Sequence, residues 1–122
     1  NKEAMDKARS VTKMMYNAPM ALLVCYNDQT SWKGTAFNDP TYDGGEADCA
    51  IVTSMMMMQA TELGIGSLYV RGYCADDVSR TFNLPSHIHP VCFLLLGYPS
   101  DISKPSKKHF DRKNLNETVK YL

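Results

Sequence analysis

The sequence predicts an α+β domain in which helices lie against a sheet, and three observations carry that reading. Two nearly continuous apolar runs, MALLVCY at residues 20–26 and VCFLLL at residues 91–96, have the length of strands buried on both faces. The stretch from Glu46 to Leu63 has the length of a helix. Ala50, Ile51, Val52, Met55, Met56, Met57, Met58, Ala60 and Leu63 leave it almost no polar side. Residues 2–16 place Ala4, Ala8, Val11 and Met15 on one face of a second, amphipathic helix.

The elements follow in order. Asn1 stands where it caps the first helix, Asn17 closes that helix, and Pro19 prevents its continuation. The strand at 20–26 comes next. Asn27 to Gly45 is a long polar connection carrying Trp32, Phe37 and Tyr42, and connections of this length are usually functional or mobile. The helix from Glu46 to Leu63 should be buried on most sides, more than so small a chain covers alone. Met55 to Met58 are therefore expected at or beneath a homodimer interface. Gly64 ends the helix, since glycine accepts the left-handed cap geometry. Gly66 and Ser67 turn the chain into a short edge strand, Leu68 to Val70, with Gly72 at its end, where a backbone can approach a flat ligand closely. Ala75 to about Phe82 reads as a short helix, with Asp76 and Asp77 at its positive end. Asn83 to Pro90 reads as a turn before the strand at 91–96. From Ser100 the chain is polar, with Lys104, Lys107, Lys108, Arg112 and Lys113 clustered, and it ends in VKYL, a short strand or arm.

A length of 122 residues suits one domain, and 44% hydrophobic residues supply a core. Lys plus Arg and Asp plus Glu are both 13, which argues against a general nucleic-acid or membrane-surface binder. The apolar runs at residues 20–26 and 91–96 fall far short of a spanning helix, and the amino terminus shows no signal peptide. The four cysteines, Cys25, Cys49, Cys74 and Cys92, form no Cys-x-x-Cys pair, and eight methionines sit badly with an oxidising compartment. The expectation is a cytoplasmic protein with reduced thiols. His87 and His89 have the His-x-His spacing that can chelate a metal on a strand, but with His109 they form no recognisable ligand motif, so no metal is expected. Ser67 lacks the Gly-x-Ser-x-Gly context of a hydrolase.

Several segments together carry a resemblance. ELGIGSLYVRG, then LPSHIHPVCFLLLGYPSDISKP, preceded by NAPMALLVCYND and by Asp48 ahead of the long helix, resemble the carboxy-terminal half of the FMN-dependent nitroreductase family over most of residues 4–122. The resemblance implies a mixed, mainly antiparallel sheet flanked by helices, a homodimer paired through the central helix, and FMN at the subunit interface. It implies an oxidoreductase in which NAD(P)H reduces the flavin and a nitroaromatic, quinone or similar small oxidised acceptor then takes the electrons. It places Arg71 and Gly72 against the flavin ring through their backbone, near its reactive nitrogen. It assigns the FMN phosphate to a basic residue after the Gly-Tyr-Pro strand, best matched by Arg112, with Lys108 and Lys107 as second choices. Trp32, Phe37 and Tyr42 fall in the loop that covers the substrate side of the flavin in related proteins, where they would stack on a ring, gate access, or simply anchor the loop. Family members also carry an upstream segment with a basic-serine-basic signature and an asparagine-containing turn. Neither is present here, so residues 1–122 read as a nitroreductase-like domain lacking that segment. A non-catalytic or truncated dimer of the same fold is the alternative.

Overall fold

The computed structural model describes residues 1–37 and 39–121, with residues 36 and 37 described by their backbone alone. Its elements run α1 (Lys2–Val11), β1 (Met20–Asn27), a 3-10 turn (Gly34–Phe37), α2 (Gly45–Glu62), β2 (Gly66–Val70), α3 (Ala75–Phe82), β3 (Ile88–Gly97), a second 3-10 turn (Lys107–Phe110) and α4 (Leu115–Thr118). The three strands form one sheet in the order β1-β3-β2. Both pairings are antiparallel, with Leu22 opposite Leu94 on one side and Tyr69 opposite Leu94 on the other.

β3 is the core. Val91 to Leu95 are all buried in it. Side chains alternate between faces along a strand. Phe93 and Leu95 pack with Val70, Val78, Ala8 and Met15 under α1 and α3. Cys92 faces α2, where its sulfur lies 3.8 Å from the Thr53 hydroxyl. Each fully buried side chain of this size is worth about 1.5–3 kcal/mol relative to exposure. The ring of Phe93 also meets Tyr73 edge-on, with centroids 5.4 Å apart.

The helix ends show how local sequence sets boundaries. Asn1 caps α1 by accepting from the Ala4 amide at 2.7 Å. Gly64 takes φ +71, and the bonds Gly64 N–H to Thr61 O (3.0 Å) and Ile65 N–H to Ala60 O (2.8 Å) close α2 in a Schellman motif. Asn83, at φ 52, does the same for α3.

The structure corrects three expectations, on α1, on β3 and on the last residues as a strand. α1 stops at Val11, because Thr12 adopts an extended backbone and the chain then turns through Tyr16 (φ 44) and Asn17 (φ 57). Met15 is still buried, but from the turn and not from a helix face. β3 begins at Ile88, so His89 and Pro90 belong to the strand and not to a turn. Within one copy, the face of α2 with Cys49, Thr53 and Ala60 is covered by the sheet, while Ile51, Val52, Met55, Met58 and Leu63 stay exposed, the incomplete cover expected of so small a chain. Residues 119–121 pair with no strand among the described residues.

The long connection before α2 is folded on itself. Gly44 N–H bonds Trp32 O at 2.8 Å, and Gly34 N–H bonds Tyr42 O at 3.1 Å. Lys33 Nζ meets Asp43 Oδ2 at 2.5 Å, while Asp43 Oδ1 accepts from the Gly45 amide at the start of α2. The Lys33 ammonium, then that amide, hold the Asp43 carboxyl down at about 2. A depressed folded-state pKa contributes stability above the unfolded value, about 3.9, that is lost as pH falls toward 2. The lone tryptophan reports on this closure. Its fluorescence in the parent is expected to hold on acidification to about pH 4 and change between there and 2. Asp43→Asn is expected to shift the neutral-pH signal and flatten that window, and an identical acid profile in both proteins would show that the loop closes without the pair.

Candidate functional site

At the end of the sheet where β2 stops and β3 begins, four segments converge. From α2 comes Glu46, in the first turn, whose Oε1 pairs with Arg71 Nη1 just beyond β2. Gly45 lies flat on Tyr26, since a Cβ at Gly45 would fall 2.2 Å from the ring. The far face of Tyr26 stacks on His89, with centroids 5.0 Å apart, and His89 Nε2 lies 2.8 Å from Asp28 Oδ2.

Gly72 is the centre of this end. Tyr73 N–H bonds Arg71 O at 2.9 Å, closing a tight turn around the glycine. Its carbonyl accepts from the Thr12 hydroxyl at 2.8 Å, and that hydroxyl in turn accepts from Met14 N–H at 3.1 Å. A Cβ at Gly72 would fall 2.2 Å from Met14 Sδ, while its φ lies outside the left-handed region. Space, and not conformation, therefore favours glycine, since a side chain here would have to displace the flexible Met14 thioether. The Gly72 amide has no hydrogen-bond partner among the described residues, and the residue is exposed.

Some phenols and thiols near this end are pushed above their ordinary values. Burial pushes the Tyr73 and Tyr69 phenols up. Burial, followed by the neighbouring Cys49 and Cys92 thiols, raises Cys25 to about 11. Among the described residues no group of three His, Cys, Asp or Glu side chains is arranged to hold a metal ion.

The residues named from sequence separate into three places. Arg71 and Gly72 lie together at the convergence. Trp32 and Tyr42 meet edge-on at 5.7 Å and brace their own loop, each about half exposed. The Phe37 side chain lies outside the described residues. Arg112, Lys107 and Lys108 sit in the exposed tail. There Arg112 donates to Lys108 O (3.2 Å) and Asp111 O (2.9 Å), and the tail's hydrogen bonds among the described residues stay within the tail. Sequence reasoning missed Thr12, Met14 and Glu46. Thr12 left one signal: it falls four residues after Ala8, a polar residue on an apolar face.

A three-stranded antiparallel sheet with a lone long helix on one face is a distinctive frame, and comparison with known proteins identifies it. The family model described as the nitroreductase family matches residues 2–98. The chain belongs to the nitroreductase family. It is 35% identical to a nitroreductase family protein of Clostridium difficile 630 whose crystal structure superposes with a TM-score of 0.86, over 99% of this chain and 69% of that one. An FMN-dependent nitroreductase of Clostridium difficile R20291 shares the fold at 20% identity and a TM-score of 0.67, over 98% of this chain and 69% of that chain. A Methanothermobacter thermautotrophicus protein with the provisional name NADH dehydrogenase/NAD(P)H nitroreductase is 27% identical over 92% of this chain, which spans 61% of that relative's length. The nitroreductase domain described here has no helix long and apolar enough to cross a membrane among the described residues.

The Met14 contact has a measurable consequence. Gly72→Ala is expected to destabilise the nitroreductase domain by about 1 kcal/mol, the cost of modest overpacking. Met14→Ala in the same chain should recover most of that loss. A double-mutant cycle by chemical denaturation should give a coupling of about 0.5–3 kcal/mol, and strict additivity would place Met14 away from Gly72 in solution.

Proposed function

We propose that the protein is an FMN-dependent oxidoreductase, taking electrons from NADH or NADPH and delivering them to a small oxidised acceptor of the nitroaromatic or quinone class. The observation that carries this is the unpartnered amide of the exposed Gly72 at the end of β2 in a nitroreductase fold. Such an amide is a donor of the kind that the reactive ring nitrogen of an oxidised flavin accepts. The name of the FMN-dependent fold relative supports the same cofactor. Bound FMN supplies the two-electron chemistry that protein side chains lack.

The chain's own residues have definite tasks in this reading. Gly72 donates through its backbone, and its missing Cβ leaves the room that Met14 fills behind it. The Arg71–Glu46 pair ties the end of β2 to the start of α2, so the two move together. Tyr69, Tyr73 and Cys25 keep their protons, so no phenolate or thiolate forms beside the ring. Trp32 and Tyr42 offer aromatic faces to an acceptor from the loop, and Phe37 is proposed alongside them. The phosphate is assigned to Arg112, with Lys108 and Lys107 next. These lie in the tail, whose hydrogen bonds among the described residues stay within the tail, and a site completed by assembly is part of this reading. The test is flavin titration of the purified full chain, followed by NADH and NADPH oxidation. Flavin uptake with characteristic absorbance supports the reading, and a colourless chain that takes up no FMN supports the non-catalytic alternative. Arg112→Ala is expected to weaken FMN binding about ten- to a hundred-fold, the loss of one charge-assisted hydrogen bond. Unchanged affinity would pass the role to Lys107 or Lys108.

A homodimer belongs to the same proposal. Ile51, Val52, Met55 and Met58 form an exposed apolar side on α2, with Met58 the most exposed of them at 74%. A second copy is the partner that the family frame favours. Met58→Glu is expected to convert a dimer to monomer in sedimentation velocity, since a buried unpaired charge costs about 3 kcal/mol or more. A parent that sediments as a monomer would overturn the assembly. All four cysteines are unpaired, which supports a reducing, cytoplasmic setting.

A further inference from the structure

We infer that Thr12 and Met14, in the turn between α1 and β1, are positioning residues for the Gly72 amide and through it tune the affinity and potential of a flavin bound at this end of the sheet. The inference rests on the flavin reading above and concerns residues outside the ring's own contacts.

Among the described residues, Thr12 at 7% exposure and Thr53 at 0% are polar side chains buried with the core. Thr53 bonds the carbonyl of Cys49 one turn back in its own helix, the ordinary outlet for a helical threonine. Thr12 is different. Its hydroxyl reaches across 60 residues to Gly72 O and leaves the helix to do so. A hydroxyl has one donor, and here it is committed to that carbonyl while the oxygen accepts from Met14 N–H. The Tyr73 amide is engaged by Arg71 O, and the Met14 thioether closes the space beside the Gly72 Cα. The carbonyl side of Gly72 is thus fixed by three contacts, and its N–H is the polar group left over. One residue's two torsions connect them, so fixing the carbonyl restricts where the N–H points. Aim matters, because hydrogen bonds weaken steeply once the donor angle falls below about 120°. Without the clamp, an exposed glycine turn would sample orientations on the ns–μs scale.

A fixed N–H donor favours the oxidised ring, whose nitrogen accepts, over the reduced ring, whose same nitrogen carries hydrogen. Removing the clamp should therefore weaken oxidised FMN more than reduced FMN. The experiment compares the parent chain with Thr12→Val, which keeps shape and loses the hydroxyl, and with Thr12→Ser, which keeps the hydroxyl. Three quantities are measured: amide NMR shifts and exchange rates at Gly72 and Tyr73 without flavin, the Kd for oxidised FMN, and the midpoint potential of bound FMN. Thermal melts confirm that each variant is folded at the assay temperature. Thr12→Val is expected to move and speed exchange at Gly72 and Tyr73, and to raise Kd about three- to ten-fold. The two-electron midpoint should rise by the corresponding ~15–30 mV. Thr12→Ser should restore all three. A folded Thr12→Val with parental Kd and potential would overturn the inference. If the parent takes up no FMN, the flavin reading fails on its own, and parental Gly72 signals in unloaded Thr12→Val would then overturn the clamp separately. Should Thr12→Val not fold, Met14→Ala, which leaves the hydroxyl in place, carries the same three measurements and the same criteria.

Discussion

β3 has hydrogen-bonded neighbours on both sides, and everything else is arranged to keep it dry. Val91 to Leu95 are buried in succession, so both faces of the sheet need cover. α1 and α3 supply it on the face with Phe93 and Leu95, and α2 supplies it on the face with Cys92. Two short helices suffice on the first face because Val78, Ala8 and the Phe82 and Tyr73 rings close around Phe93. The second face has one helix, and that helix is apolar on its outer side as well. The constraint on β3 thus passes outward: α2 satisfies the sheet and leaves its own far side to be satisfied.

The same constraint locates the site. β2 is shorter than β3 and ends opposite Phe93, while β3 continues back to Ile88 with β1 as its remaining neighbour. Past Val70 the chain leaves β3 and turns through Gly72, so not all of its backbone groups are taken up by the ladder at the step in the sheet. α2 begins at this same end, held by Asp43 on Gly45 and by Glu46 on Arg71. The step and the helix start enclose a place where main chain is exposed between packed elements. That is the kind of position where a ligand can be read by backbone donors.

Much of the frame was legible because it follows from local rules. Gly64 as the helix end, the strand at 20–26 and the helix at 75–82 all followed from residues within a few positions of one another. What was not legible came from contacts between distant segments. The spacing of Ala4, Ala8, Val11 and Met15 fits a helix, yet the helix stops at Val11, because Thr12 gains more from a carbonyl 60 residues away than from another helical turn. The apolar surround of α2 was legible as composition, but which of its sides the sheet covers, the one with Cys49, Thr53 and Ala60, was not, since a sequence does not say how many sides a sheet covers. At the site, Arg71 and Gly72 stood out by their place after a strand. Glu46 and Met14 carry no local mark and are found only when the chain is folded.

Gly72 shows how a residue can be singled out for one reason and needed for another. A glycine at a strand end suggests close approach of a flat ligand, and the exposed residue leaves room for that. The neighbour already present is Met14, whose sulfur occupies the space of a side chain. The two faces of the glycine therefore have different tasks: one is filled by the protein, and the other stays open. A side chain at this position would meet Met14 first and disturb the turn before any ligand arrived. The missing Cβ lets the α1–β1 turn close over the end of β2, and that closure holds the carbonyl while the amide remains outward. Packing inside the fold and access from outside are two consequences of the same absent atom.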